Sequence, residues 1–351
     1  MAAYAARWLE TIRPPAVAPP TWSSYADNLR LHVLPTLGAR PLEAVRRSDV
    51  RGLLAAKLAA GLSRNSVRLV HATLRVMLNA AIDDERLGAN PAAGVGRRLG
   101  LERIPADHKR LGDGPDALVD VRLGRAMSRA QLGLFLDAAR RAPAPRYRRL
   151  WPLFLLLARS GLRIGEALAL RWEDLHFSDG VITVVRACSW DRVDGKRVRR
   201  LVVPKRVSAR QVDMSQQLAL ELRRLRQGRQ QETRERGWPA MPPWVFCSTT
   251  GTPLDYALVR RAFTAARDRA LGSRHWTLHC LRHTFSAHLL TQGESPVYVQ
   301  RQLGHKSIKL TVDLYGCWLP MRNRAAVDRL DDWPRRRGQR GRVVRRAKGG
   351  T

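Results

Sequence analysis

The chain has 351 residues and carries 63 Lys and Arg against 30 Asp and Glu, which gives a formal net charge of +33. A chain this cationic repels itself unless a polyanion offsets the charge, so nucleic acid is the expected partner rather than a small metabolite. The 44% of hydrophobic residues and the ten Trp exclude a disordered chain, and the length favours two domains.

Neither a membrane span nor a secretory signal is visible. The longest apolar run is far shorter than the roughly 20 residues that a membrane helix needs, and residues 1–13 lack the apolar segment of a signal peptide. The four Cys are far apart and form no Cys-x-x-Cys pair, which favours a reducing compartment. We therefore expect a cytoplasmic protein without a membrane partner.

The first hundred residues are predicted to form helices. Hydroxyl side chains at 21–25 are candidate N-caps for a segment that Pro35 and Gly38 should end. A helix from Ser48 to Gly61 follows, and Ser63 should cap a longer one. That longer helix presents one apolar stripe, formed by Val67, Val70, Leu74, Met77, Leu78 and Ala81.

Composition divides the chain into four parts. Residues 1–95 form the predicted helical domain, and 96–125, rich in Gly, Pro, Asp and Arg, form a linker. Residues 126–333 form the second domain, and the Arg- and Gly-rich residues 334–351 are expected to be a disordered basic tail.

The second domain is predicted to be mainly α-helical with a small three-stranded antiparallel sheet. The apolar segment 150–159 is expected to be its buried central helix. Three alternating segments, 181–185, 197–203 and 210–214, predict the strands, with an Asp-Gly turn at 194–195. Helices are predicted afterwards at 215–236, 254–270, 279–291 and 295–303.

Two motifs carry basic residues before and within the predicted strands. In Ser160-Gly161-Leu162-Arg163-Ile164-Gly165-Glu166, Arg163 and Glu166 are three residues apart, so a surface ion pair of little energetic value is the plain alternative. Pro204-Lys205-Arg206-Val207-Ser208-Ala209-Arg210 joins two predicted strands and contains one of only seven Lys in the chain.

Two further motifs contain His and Tyr. His279 and Arg282 would share one helix face. His275, His279 and His283 are spaced like metal ligands, but no acidic residue accompanies them, so zinc is not favoured. Gly304 fits a helix end, which would leave His305 on a turn, while Tyr315 taken alone is an ordinary half-buried packing residue.

Taken together, the motifs resemble the tyrosine recombinases, also called phage integrases. Ser-Gly-Leu-Arg-Ile-Gly-Glu is similar to the first Arg box of that family, His-x-Leu-Arg-His-Thr-Phe to the second, and Leu-Gly-His with Thr-x-x-x-Tyr-Gly to the nucleophile box. Pro-Lys-x-x-Ser-x-Arg is similar to the hairpin Lys segment. The resemblance covers residues 127–320 strongly. It extends weakly over 1–95, which is similar to the SAM-like core-binding domain.

The resemblance implies roles for these residues in cutting and rejoining DNA through a 3′-phosphotyrosine link. Arg163 and Arg282 would hold the scissile phosphate, with His305, as an imidazolium or a neutral imidazole, as a third donor; planar guanidinium groups suit this because they bind phosphate bidentately. Tyr315 would be the nucleophile and Lys205 the donor of a proton to the leaving 5′-oxygen. His279 would help to accept the Tyr proton, and Glu166 would orient Arg163 or His279. No metal and no cofactor is implied, and His283 is expected to pack or hydrogen-bond within its own helix.

Three departures from the family pattern accompany the resemblance. Arg206 stands where the family often has Thr, and neighbouring cations of the hairpin are rivals of Lys205 for the acid role. Cys317 stands where many relatives have His. The chain also starts almost directly at the core-binding region, which indicates either a two-domain recombinase or an absent upstream segment.

The implied partners are double-stranded DNA and further copies of the chain, forming a homo-tetramer on two DNA sites, with accessory directionality proteins as an additional candidate. Residues 318–330 would form either a helix donated to a neighbouring subunit or a helix packed on their own chain. The Arg-rich composition suggests a bacterial mobile element and association with the nucleoid. Two rivals stay open: a catalytically inactive DNA-binding relative that acts as a regulator, and a metal-dependent nuclease or hydrolase.

Overall fold

A computed structural model describes residues 1–101, 126–193, 196–202, 209–272, 275–305 and 307–315. Residues up to 101 contain a series of helices, a π-helical turn at Leu29–Val33 and a 3₁₀ turn at Leu42–Ala44. The helices are α1 (Ala2–Thr11), α2 (Pro19–Asn28), α3 (Leu34–Leu37), α4 (Arg47–Ala59), α5 (Arg64–Asp83) and α6 (Val95–Arg98).

The long helix α5 forms as its sequence predicts. Ser63 caps it, because its hydroxyl accepts a hydrogen bond from the Ser66 backbone amide at 3.1 Å. Every residue of the predicted apolar stripe is buried, and the stripe lies in the centre of the N-terminal hydrophobic core. The helical prediction for this region is therefore confirmed.

The start and end of α2 differ from the prediction. The hydroxyls at 21–25 do not cap it; the helix begins at Pro19 with Ala18 at the N-cap position, since proline fits the first helical turn without losing a hydrogen bond. Pro35 does not break the helical path either. It lies in the first turn of α3, so that the chain remains helical up to Leu37.

Part of the predicted linker packs with the N-terminal helices. Leu101 is 3% exposed and belongs to the N-terminal core, and Leu99 packs against that core. The rest of that segment, residues 102–125, and the predicted tail lie outside the described residues.

Residues from 126 onwards form a second hydrophobic core around an apolar helix, α9. The helices here are α7 (Arg129–Arg140), α8 (Pro145–Arg148), α9 (Trp151–Ser160), α10 (Ile164–Leu168), α11 (Gln216–Glu235), α12 (Tyr256–Leu271), α13 (Leu278–Thr291), α14 (Pro296–Leu303) and α15 (Ile308–Tyr315). Six consecutive residues of α9, from Leu153 to Ala158, are buried, which confirms its predicted central position.

The strands pair differently from the prediction. A three-stranded antiparallel sheet exists, but its order is β1 (Leu175–His176), β2 (Val181–Val184) and β5 (Arg210–Asp213). The predicted middle strand, here β4 (Lys196–Val202), pairs instead with β3 (Ala187–Val193) in a separate two-stranded ribbon. The prediction of the strand pairing was wrong because it missed β3. Two residues separate β3 from β4 in the sequence, so these strands pair with each other, and β2 pairs with β5, which follows them.

The architecture is mainly α-helical with a small antiparallel sheet, as predicted. Within the described part of the chain, no helix combines the length and the apolar character that crossing a membrane would require.

Candidate active site

The first element of the site is the sharp corner between α9 and α10. Gly161 ends α9 with a left-handed backbone, φ +63°, and a Cβ built there would lie 2.5 Å from Phe285 Cδ1. Arg163 then occupies the N-cap position of α10, where its backbone amide donates to Glu166 Oε2 at 2.8 Å. The corner therefore fixes the backbone from which the Arg163 side chain projects towards solvent.

Glu166 is the buried acceptor for two arginines. Its carboxylate is 4% exposed and accepts hydrogen bonds from Arg163 Nη1 at 3.0 Å and from both terminal nitrogens of Arg210, at 3.0 and 2.7 Å. Burial raises the pKa of this carboxyl, but the hydrogen bonds and charges of Arg210 and Arg163 outweigh burial and lower the pKa overall. Glu166 is thus an anion that orients Arg163, and it is no isolated surface partner.

Arg282 lies at the centre of the site. It is 2% exposed, and its guanidinium donates to the backbone oxygens of Gly161 and Leu303, which end helices α9 and α14. Burial, followed by the nearby charge of Arg163, lowers the pKa of Arg282 to about 9, so the group remains cationic at neutral pH. The negative ends of two helix dipoles face this buried charge.

His305 follows the glycine that ends α14. Gly304 has φ +63°, and the Arg210 side chain lies so close that a Cβ at this position would be 2.9 Å from its Cδ. His305 Nδ1 forms a 2.8 Å hydrogen bond with Thr311 Oγ1 of α15. Burial, and then the charges of Arg282 and Arg163, lower the pKa of His305 to about 4. A pKa this low favours a neutral His305 in the DNA-free protein, so the histidine would offer phosphate a neutral donor there.

Tyr315 ends α15 with its side chain 1% exposed. Its hydroxyl is 2.9 Å from His283 Nδ1, and its ring is parallel to that of His305, with centroids 6.2 Å apart. His279 is exposed and packs edge-to-face on the His283 ring at 4.6 Å. The phenol thus lies among imidazoles, beside the cluster of arginines.

The predicted site residues that the structure describes come together. Arg163 and Glu166 lie at the start of α10, His279 and Arg282 on α13, His305 after α14 and Tyr315 on α15, and these four segments meet at the ends of α9 and α14. Lys205 lies outside the described residues.

Two residues at the site were missed by the sequence analysis. Arg210 was part of a quoted motif, but nothing in the sequence links it to Glu166, 44 residues away. His283 was expected to pack or hydrogen-bond within its own helix; its ring does pack on His279 of α13, and the contact that the sequence did not indicate is the one with the hydroxyl of Tyr315 on α15. A signal did exist, since His283 is four residues after His279 and therefore lies on the same helix face.

The arrangement can hold a phosphate and present a hydroxyl nucleophile to it. The guanidinium of Arg163 is partly exposed and can bind a phosphate oxygen. Arg282 and His305 lie beside it, and hydrogen bonds to Gly161 and to Thr311 hold their side chains in place. Across the ranges that the structure describes, no three His, Cys, Asp or Glu side chains are grouped to hold a metal ion.

Comparison with known proteins adds independent evidence. The ICEBs1 integrase of Bacillus subtilis (strain 168) is 27% identical over 275 residues, which is 78% of this chain and 67% of that protein. The Tn1549 transposon integrase, solved in complex with transposon right end DNA, has a TM-score of 0.72 at 21% identity and covers 94% of this chain and 99% of its own. A lambda integrase tetramer bound to a Holliday junction has a TM-score of 0.60 at 18% identity, over 89% of this chain and 76% of its own. These structural likenesses establish the fold.

A family model settles the assignment that the motifs indicated. The model described as the phage integrase family matches residues 125–316, more than half of the chain. The matched range contains the two arginine boxes, the hairpin segment and Tyr315. The resemblance found in the sequence is confirmed: the chain belongs to the phage integrase family of tyrosine-type site-specific DNA recombinases.

Proposed function

We propose that the chain cuts and rejoins DNA strands through a covalent 3′-phosphotyrosine intermediate, with Tyr315 as the nucleophile. The observation that carries this proposal is the position of Tyr315. Its ring lies parallel to His305, and the buried guanidinium of Arg282 donates to Leu303, two residues before that His. A phosphate bound by these groups would lie next to the phenol.

Arg163, Arg282 and His305 would stabilise the extra negative charge of the five-coordinate phosphorus. Preorganised donors of this kind commonly account for a large share of an enzyme's rate enhancement. Glu166 would keep Arg163 in place, which its 3.0 Å contact supports. The resemblance gives Lys205 the role of protonating the leaving 5′-oxygen and gives His279 a share in accepting the phenol proton. Because the covalent link stores the phosphodiester bond, rejoining needs no ATP.

The assembly on DNA is a further part of the proposal. Residues 1–95 and 126–333 would bind a duplex from two sides, chiefly through phosphate contacts, as the charge of +33 favours. Four copies would bring two sites together, which the likeness to the lambda integrase tetramer on a Holliday junction supports. The recombinase would act on a mobile genetic element in the bacterial nucleoid, as the likeness to the ICEBs1 integrase suggests. Accessory proteins would determine whether the reaction runs towards integration or excision.

Covalent adduct formation tests the catalytic proposal directly. Binding sites are first selected from a pool of randomised duplexes, and the selected duplexes are then nicked next to the cleavage position, so that the cut strand escapes and the adduct accumulates. We expect the wild-type protein to form an SDS-resistant protein–DNA adduct in EDTA and Tyr315→Phe to form none. Tyr147→Phe is the matched control, because Tyr147 lies in α8 beside Arg146, 168 residues before Tyr315.

Three results separate the alternatives. Adduct formation that persists in Tyr315→Phe would refute the proposed nucleophile. Tight, specific binding without any adduct from the wild type would favour the inactive DNA-binding regulator. Cleavage that EDTA abolishes would favour the metal-dependent nuclease.

A further inference from the structure

The hydroxyl of Tyr315 is bonded to a histidine to which the sequence analysis gave no catalytic part. His283 Nδ1 lies 2.9 Å from Tyr315 Oη, and the two rings have centroids 5.6 Å apart at an angle of 57°. The two residues are 32 positions apart on α13 and α15, so the contact depends on the tertiary fold. Tyr315 is 1% exposed, which keeps bulk water from serving as the base at its hydroxyl.

We propose that His283 accepts the proton of Tyr315 as the phenol attacks the scissile phosphate, with His279 supporting His283 through their ring contact. The proposal rests on the function proposed above and adds a catalytic residue to it. A general base must lie within about 2.6–3.2 Å of the proton-bearing atom, and His283 meets that requirement. The His279 ring contacts the His283 ring edge-to-face, with centroids 4.6 Å apart. From this position it can help to stabilise the imidazolium that forms on His283.

The charges around His283 suit this transfer. Arg282 is adjacent in the sequence, and its positive charge acts on Tyr315, so it favours the phenolate. His305, stacked on the Tyr315 ring, is neutral near pH 7 because its pKa is lowered to about 4. His279 and Tyr315 are titratable groups in ring contact with His283. A bound phosphodiester would bring the negative charge that offsets a new imidazolium.

The step balances as follows. The Tyr315 Oη–H bond breaks and its proton goes to His283 Nδ1, while Oη forms a bond to phosphorus. The bond from phosphorus to the 5′-oxygen breaks, and that oxygen takes a proton from Lys205. For Nδ1 to receive the proton, the neutral imidazole must carry its own proton on Nε2. In the rejoining step both protons return.

Two substitutions at position 283 separate proton acceptance from simple positioning. His283→Asn can place its side-chain oxygen where Nδ1 lies and can still accept the phenol hydrogen bond, but it cannot take up the proton. His283→Ala removes the bond altogether. We expect both to lower the single-turnover rate of adduct formation by about 10²-fold or more at pH 7. In both, the rate should go on rising with pH up to about 10, where free phenols ionise, while the wild-type rate levels off earlier.

His176→Asn is the matched control, since His176 lies on β1 and contacts Thr183 of the sheet. Duplex affinity and far-UV circular dichroism of each variant confirm that it is folded. A wild-type rate in His283→Asn would overturn the proposal, because it would show that the contact positions Tyr315 and does not accept its proton. A faster rate in His283→Ala would also overturn it, by showing that the bond restrains Tyr315. If wild type forms no adduct at all, the underlying function fails instead, so the two failures are distinguishable.

Discussion

Arg210 and Glu166 form a bidentate ion pair in the interior of the second core. Their side chains are 10% and 4% exposed, with nitrogen–oxygen distances of 3.0 and 2.7 Å. Arg210 Nε also donates to the backbone oxygen of Gln302 at 3.1 Å. One side chain on β5 therefore connects the corner that carries Arg163 with the turn that carries His305.

Removing the negative charge of Glu166 should lower the stability of the protein. Glu166→Gln leaves two arginines without their anion, and breaking a buried pair costs about 3 kcal/mol. We expect the melting temperature to fall by about 6–12 °C, as for a unit of this size. The control Glu173→Gln affects a carboxylate that is 62% exposed, for which about 1 kcal/mol or less is expected.

A double variant separates stability from orientation. Adding Arg210→Met to Glu166→Gln removes the unpaired charge, so part of the melting temperature should return. Adduct formation should stay low, because Arg163 has still lost its partner. Recovery of both properties together would show that Glu166 has no part in orienting Arg163.

Arg282→Lys should slow cleavage strongly while leaving DNA binding nearly unchanged. One ammonium group cannot reproduce the fork that reaches Gly161, Leu303 and a phosphate together. We expect the single-turnover cleavage rate to fall by about 10²–10³-fold, with duplex affinity within a few-fold of wild type by filter binding. Arg260→Lys, an exposed position on α12, is the parallel control. A comparable loss of affinity in Arg282→Lys would contradict the division between cleavage and binding.

His305 should make the protein less stable as the pH falls from about 6.5 to about 4. In the unfolded chain the ordinary pKa of 6.5 applies, whereas burial and then Arg282 lower the pKa to about 4 in the folded state. Between these values the unfolded chain binds a proton that the folded chain does not, so the free energy of unfolding decreases as the pH falls. The stabilising contribution is complete above pH 6.5. Melting temperatures across pH 4–7 should fall less steeply towards acid in His305→Asn than in wild type, and equal slopes would argue against a buried neutral imidazole.

Gly161→Ala should destabilise the protein and displace Arg282. The added methyl group would meet Phe285 and Leu303 within 3 Å, at a backbone angle that alanine adopts poorly. A loss of about 2–4 kcal/mol in the free energy of unfolding is expected from strain and overpacking combined. Gly228→Ala on α11 is the control, since its Cβ would meet nothing within 4 Å and should be neutral or stabilising. Urea unfolding of both variants measures the difference.

Much of the helical framework follows from the sequence, because its signals are local. The stripe on α5 and its Ser63 cap each depend on residues within one helix, so periodicity and capping predict them. The ribbon was harder, because pairing depends on which strand segments lie opposite each other. The sequence around 187–193 mixes polar and apolar residues without clear alternation, and so β3 went unnoticed.

The site divides in the same way. Arg163, Arg282, His305 and Tyr315 were predicted because each belongs to a short motif that resembles those of a known family. The partners Arg210 and His283 could not be assigned, because their contacts join segments 44 and 32 residues apart. The neutral state of His305 is likewise a consequence of burial and of three-dimensional neighbours, which no motif encodes.

The two carbonyl groups that hold Arg282 come from the peptide backbone at the ends of α9 and α14. Any amino acid at position 303 supplies the same oxygen, and at 161 the requirement is for the absence of a side chain. The position of the Arg282 guanidinium is therefore determined by the backbone geometry. Homologous chains can diverge widely in the surrounding side chains and still hold this arginine in place, as long as α9 and α14 end at the same positions. Loop length between α9 and α10 should thus be under tighter evolutionary constraint than the composition of the core beneath it.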